Sequence, residues 1–215
     1  MCGLVSSFLT APIIIAFGAA KVPLLDMKAE TISLLLLLDA AITFLLLAVI
    51  LKVRREPLAS LGLPWERWKR DTLVGLALVP FLLLINALVS IVFKAYFPEY
   101  YTERNPLTEI IRTPQQLALF ILAALIAGGV KEELQRAFIL DRFRRYLGGA
   151  VVGLLIWSVL FGASHYVQGA QGVAVASVFG LILGILYLSR GSLIAPVAAH
   201  GVYDAAALLL SWFFK

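Results

Sequence analysis

The sequence predicts an all-α polytopic membrane protein, a bundle of about seven transmembrane helices (range about six to eight) with an interfacial segment after the second. Three observations predict it. Hydrophobic residues make up 61% of the 215-residue chain and charged residues only 14%, with a mean hydropathy of +0.95, whereas a soluble domain is nearer half apolar and a quarter charged. The apolar residues gather in runs close to the roughly 20 residues that cross about 30 Å of hydrocarbon. The basic residues collect in short connections between those runs, as they do on a cytoplasmic membrane face.

Seven runs with few charges follow one another at 4–20, 31–51, 72–93, 115–140, 149–164, 173–188 and 192–214. The first lacks a basic stretch before it and further spans follow, so it reads as an anchor rather than a cleaved signal. Segment 52–71 carries Lys52, Arg54, Arg55, Arg67, Lys69 and Arg70 against three acids, and Arg142, Arg144 and Arg145 follow the fourth run. Lys and Arg near span ends are retained on the cytoplasmic side. Both connections and Arg190 are therefore expected inside and the charge-balanced 94–112 loop outside, which with seven spans makes the N-terminus cytoplasmic. Residues 57–70 mix Leu58, Leu61, Leu63, Trp65 and Trp68 with basic side chains, the composition of a stretch at headgroup level.

These readings exclude other classes. The net charge of +5 is spread over membrane-flanking connections, so no nucleic-acid partner is expected; the lipid bilayer is. The single cysteine, Cys2, cannot form an internal disulfide or a thiolate metal cluster alone. No internal repeat is visible, and 1–215 reads as a single membrane domain, expected in a prokaryotic plasma membrane. Oligomeric state is not legible.

Ionisable side chains at membrane depth cost several kcal/mol each and mark function by default. The fourth run holds Lys131, Glu132, Glu133 and Arg136, the fifth ends at His165, and the seventh carries His200 and Asp204. Both histidines of the chain belong to this set. Glu132 and Arg136 are spaced to share a helix face, as are His200 and Asp204. Counting outward from a joint near Leu147, the helical rise puts Glu132 roughly 22 Å and His165 roughly 27 Å along their helices, so one site near midplane is feasible. Singly, each has a plainer reading: an ion-pair knot for the glutamates, an interior hydrogen bond for either histidine, a helix cap for Asp204. Their joint occurrence in otherwise apolar spans weakens those readings. Asp39, in the second run and apart from any motif, reads as a structural hydrogen-bond partner.

At these residues the chain resembles the CAAX prenyl protease 2 family, also called the CPBP or Abi family of intramembrane proteases. The family has a Glu-Glu pair followed shortly by Arg, then Phe-x-x-x-His, then His-x-x-x-Asn or Asp. Here these read Glu132-Glu133-Leu134-Gln135-Arg136, Phe161-Gly162-Ala163-Ser164-His165 and His200-Gly201-Val202-Tyr203-Asp204. The resemblance covers about 115–210, the expected catalytic core. Two residues rather than three separate the glutamates from Arg136, so aligning on the glutamates puts Ala137 where the family has its arginine.

The resemblance implies an endopeptidase cutting a membrane-anchored protein or peptide, with Glu132 and His165 activating water. It also implies that His200 and Asp204 bind the oxyanion or hold the water, and that Glu133 and Arg136 support the acid. Two histidines and a carboxylate (His165, His200, Glu132) are also a set that zinc accepts, although the His-Glu-x-x-His spacing of a strong zinc motif is absent. Metal-free and metal-assisted versions both stand open at this point. A serine nucleophile is disfavoured, since Ser164 precedes His165 on a helix and should point about 100° away from it. The rival class is non-catalytic: a membrane binding or immunity protein, or a proton-coupled transporter, which would need a water path and usually shows repeated halves.

Overall fold

Apolar runs become helices here because, in hydrocarbon, every backbone N–H and C=O must find a partner within its own segment. A computed structural model describes residues 27–214, and it contains helices and turns but no strand among the described residues. The expected span 4–20 and Cys2 lie outside the described residues. Among the described residues seven α-helices longer than ten residues follow in order: α1 (Ala29–Val53), α2 (Trp68–Tyr96), α3 (Pro114–Ala124), α4 (Glu133–Tyr146), α5 (Ala150–Ser164), α6 (Gly169–Arg190) and α7 (Ile194–Phe213), with a π-helical segment, Leu125–Glu132, joining α3 to α4 and a single helical turn, Pro106–Glu109, before α3. Among the described residues four stretches are long and apolar enough to cross a membrane: Ala29–Val53, Trp65–Tyr96, Tyr166–Arg190 and Ile194–Phe213. α5 is a shorter apolar helix. The chain is an integral membrane protein.

Successive spans alternate in direction, with α3, the π segment and α4 running as a single span, and side chains tie their ends together. At one end Arg142 Nη1 donates to Glu56 Oε1 at 2.8 Å, Arg54 Nη2 to the Tyr146 hydroxyl at 3.3 Å and Arg190 Nε to Asp71 Oδ1 at 2.9 Å. The Arg142 guanidinium, helped by Arg54, holds the Glu56 carboxyl well below its ordinary value, at about 2. At the other end Gln116 donates to Glu30, Asn105 to Gln168 and Gln171 to Ser90. Segment 57–67 is two short 3-10 turns, Leu58–Leu61 and Trp65–Arg67. Leu61 is fully buried while Trp65 is 70% exposed, as expected of a stretch lying on a membrane interface.

The radial pattern is that of a membrane protein. Large apolar side chains such as Leu45, Leu73, Ile91 and Val159 face outward, while Arg136, Glu133 and Asp71 are fully buried. Without a hydrophobic drive between helices in lipid, close approach depends on small residues. A Cβ at Gly75 would strike the Ala195 backbone, one at Gly162 the Ser177 side chain and one at Gly180 the Ser158 backbone, so α2 packs on α7 and α5 on α6 through glycines.

One expectation needs correction. The fourth run is not one continuous α-helix: its middle, Leu125–Glu132, is π-helical. Pro196 falls in the first turn of α7, where its missing N–H would have had no intrahelical partner.

Candidate active site

The site forms where the π segment, the end of α5 and the first half of α7 meet. Gly128 and Gly129 allow it. A Cβ at Gly129 would lie 3.0 Å from Gly201 Cα, and one at Gly128 would collide with the Asp204 carboxylate. Bare backbone on both helices therefore lets α7 lie directly against the π segment that ends at Glu132. π-turns of this kind gather at functional sites.

Glu133 and His200 join the two elements. His200 Nδ1 is 2.7 Å from Glu133 Oε1, and both side chains are almost fully buried. The other Glu133 oxygen accepts from Arg136, which is itself fully buried. Thus Arg136 pairs with Glu133 at i+3, not with Glu132 as their four-residue spacing suggested. His200 Nε2 faces two further carboxylates, Glu132 Oε2 at 3.9 Å and Asp204 Oδ2 at 3.7 Å. Lys131 Nζ lies 3.7 Å from Glu132 Oε1 and donates to Asp39 Oδ2 on α1 at 2.9 Å. The ionisable groups form a continuous chain: Asp39, Lys131, Glu132, His200, Glu133, Arg136.

His165 caps α5, with its Nδ1 2.8 Å from the Phe161 carbonyl. That contact assigns the Nδ1 hydrogen to the carbonyl and leaves Nε2 as the working nitrogen. Phe161 is more than a spacer in its motif. Its ring lies 4.7 Å from the His165 ring and 5.9 Å from the His200 ring, with the Arg136 guanidinium over its face at 5.0 Å. Ser164 Oγ comes within 3.2 Å of His165 Nδ1, nearer than its helical position suggested, but it donates to the Phe161 carbonyl at 2.7 Å. A hydroxyl whose proton is committed there, beside a nitrogen that is itself a donor, is not an activated nucleophile.

Glu132, His165, His200 and Asp204 line one cavity of about 650 Å³, within the usual range of ligand sites. Its walls include Phe120, Val175, Phe179 and Leu208, and its mouth is polar, with Thr102, Glu103, Arg104, Asn105 and Gln168. Glu133 and Arg136 sit behind the cavity rather than in its wall. Among the described residues no three His, Cys, Asp or Glu side chains converge as a metal-ligand set. His165, His200 and Glu132 are not arranged as one, with the Phe161 ring packed against both imidazoles. These donors do not fit a resident zinc ion.

Residues 113–206 match the family model of the type II CAAX prenyl endopeptidases, Rce1-like. The matched stretch, 94 of the 215 residues, is similar to an Rce1-like domain, and all three motifs fall within it. No curated protein and no solved structure matches the chain.

Three features of the matched stretch and its surroundings escaped the sequence. The Lys131–Asp39 pair was signalled only by a lone acid and a lone lysine in apolar runs that nothing linked. The role of the Phe161 ring was hidden in a motif that names it without a function. The Gly128–Gly129 pair, just before the charged cluster, was a readable sign of close approach.

Proposed function

We propose that the protein is an intramembrane endopeptidase that hydrolyses a peptide bond of a membrane-anchored protein or peptide, using water activated by Glu132. The observation that carries this reading is the meeting of Glu132, His165, His200 and Asp204 on one cavity, with His200 oriented from behind by Glu133. Peptide hydrolysis needs a base for water, donors for the oxyanion and a proton for the leaving amine. Glu132 takes a proton as the water oxygen bonds to the scissile carbonyl carbon. His165, through Nε2, holds the water. The oxyanion accepts from His200 Nε2–H, the imidazole carrying a proton on each nitrogen, and from the hydroxyl of Asp204 in its protonated form, and the proton held on Glu132 passes to the amine nitrogen as the C–N bond breaks. Glu133, tied to Arg136, keeps the His200 ring turned so that Nε2 faces the reacting atoms.

The test is cleavage of a panel of membrane-anchored peptides by purified protein in liposomes, with and without a chelator. Wild type should cut at least one peptide with or without chelator, and Glu132→Ala and His165→Ala should be folded and silent. If no peptide is cut and both variants still support the host's function, the protein acts by binding and the catalytic assignment fails.

A further inference from the structure

Among the described residues the cavity opens at one end of the bundle, and the charge distribution says which end that is. Its mouth is formed by the 102–108 segment with Gln168, Gln171, Ser211 and Phe214, at the C-terminal ends of α2 and α7 and the N-terminal end of α6. None of its lining residues comes from the opposite end, where α1, α4 and α6 finish. That opposite end is strongly basic: segments 52–71 and 141–147 and the turn at Arg190 hold ten Lys and Arg against four acids. At the mouth end Lys28, Lys94, Arg104 and Arg112 are balanced by Glu30, Glu99, Glu103 and Glu109. An excess of Lys and Arg in short connections is retained in the cytoplasm. The basic end is therefore the cytoplasmic one, and the mouth lies on the other side of the membrane.

We propose that the site is loaded from the non-cytoplasmic face, its substrate being a polypeptide presented at the outer surface or in the outer leaflet. This deepens the peptidase reading and rests on it for the nature of the ligand; the direction of access stands on geometry and charge alone. The walls suit such a chain. Backbone amides of an extended segment meet amide and hydroxyl side chains at the rim (Thr102, Asn105, Thr108, Gln168), then apolar surface (Phe179, Leu208) before reaching Glu132. Asn105 Nδ2 donates to Gln168 Oε1 at 3.0 Å and Thr102 N to Gln171 Oε1 at 3.2 Å. The two sides of the rim are thereby joined across the entrance and keep it polar.

The experiment uses single-cysteine variants of the full chain in a Cys2→Ser background: Thr108→Cys at the mouth, Ala207→Cys and Leu208→Cys in the cavity wall, and Arg144→Cys at the basic end. Each is expressed in bacteria and exposed, in intact spheroplasts, to a membrane-impermeant methanethiosulfonate. Thr108→Cys and at least one wall cysteine should be modified in intact spheroplasts, and Arg144→Cys only after permeabilisation. Modification of Arg144→Cys from outside, or of the wall cysteines only after permeabilisation, overturns the proposal, as does a wall that stays unmodified on both sides. Because labelling needs no turnover, failure of the peptidase reading leaves this result intact. If peptides are cut, proteoliposomes with protein oriented mouth-out should cleave added substrate at least tenfold faster than those oriented mouth-in.

Discussion

His200 Nδ1 and Glu133 Oε1 stand 2.7 Å apart in a site where both side chains are almost fully buried. Glu133 is shared between that imidazole and the Arg136 guanidinium, so it orients one catalytic candidate and neutralises a buried cation at the same time. Removing one partner of a buried pair costs about 3–5 kcal/mol because the other is left uncompensated. Glu133→Gln should accordingly lose both turnover and thermal stability. The double variant Glu133→Gln/Arg136→Met removes the stranded charge and should recover most of the melting temperature without recovering activity. Melting curves and cleavage rates for the two variants check this.

The Lys131–Asp39 pair predicts a different pattern. It ties α1 to the π segment, with Lys131 also 3.7 Å from Glu132. Asp39→Ala alone should destabilise by about 3–5 kcal/mol, and Asp39→Ala/Lys131→Met should be close to wild type in stability. The double variant should still turn over more slowly, by roughly tenfold or about 1.4 kcal/mol in the barrier, with KM little changed, because Glu132 has lost its neighbouring cation. A double variant with full kcat would show the pair to be a helix tether alone.

Asp204 faces the same imidazole nitrogen as Glu132, at 3.7 Å, and its proposed role needs a polar group rather than a charge. Asp204→Asn should retain within about tenfold of wild-type turnover, while Asp204→Ala should lose about 10²-fold or more, the effect of removing one oxyanion donor. Equal losses in both would assign the carboxylate a charge-dependent role instead.

At the basic end, Glu56 is held at about 2 by Arg142. Its carboxyl is thus depressed from its ordinary value of 4.5. The pair's contribution is complete above about pH 4.5 and is lost as pH falls toward 2. Glu56→Gln should lower stability by on the order of 1 kcal/mol at neutral pH, and the difference from wild type should shrink through that acid window. Melting temperatures in detergent from pH 7 to pH 3 measure it.

Much of the fold was legible because apolar length and charge placement are local properties. Six of the expected runs correspond to described helices, each boundary shifting where charged ends such as Lys52 and Arg190 still belong to the last helical turn. The π segment was not legible, since nothing in Leu125–Glu132 favours it locally and its close packing on α7 at Gly129 and Gly201 is a tertiary contact. That segment also explains why Arg136 pairs with Glu133 rather than Glu132. Straight α-helical spacing places Arg136 over Glu132, but Glu132 ends the π segment and turns toward Lys131 and His200, leaving Glu133 to Arg136. The acids and histidines themselves were visible because charge in an apolar run is rare. Their pairings were not, because sequence separations such as that between Asp39 and Lys131 carry no distance.

The central claim is that Glu132 activates the attacking water, and the most direct measurement compares wild type with Glu132→Gln in proteoliposomes, in water enriched in heavy oxygen. Wild type should place one heavy oxygen in the new C-terminal carboxylate. The variant, with its melting temperature and peptide binding preserved, should be slower by about 10²–10⁴-fold, the range for losing a general base. A folded Glu132→Gln protein that cuts at the wild-type rate would contradict the account.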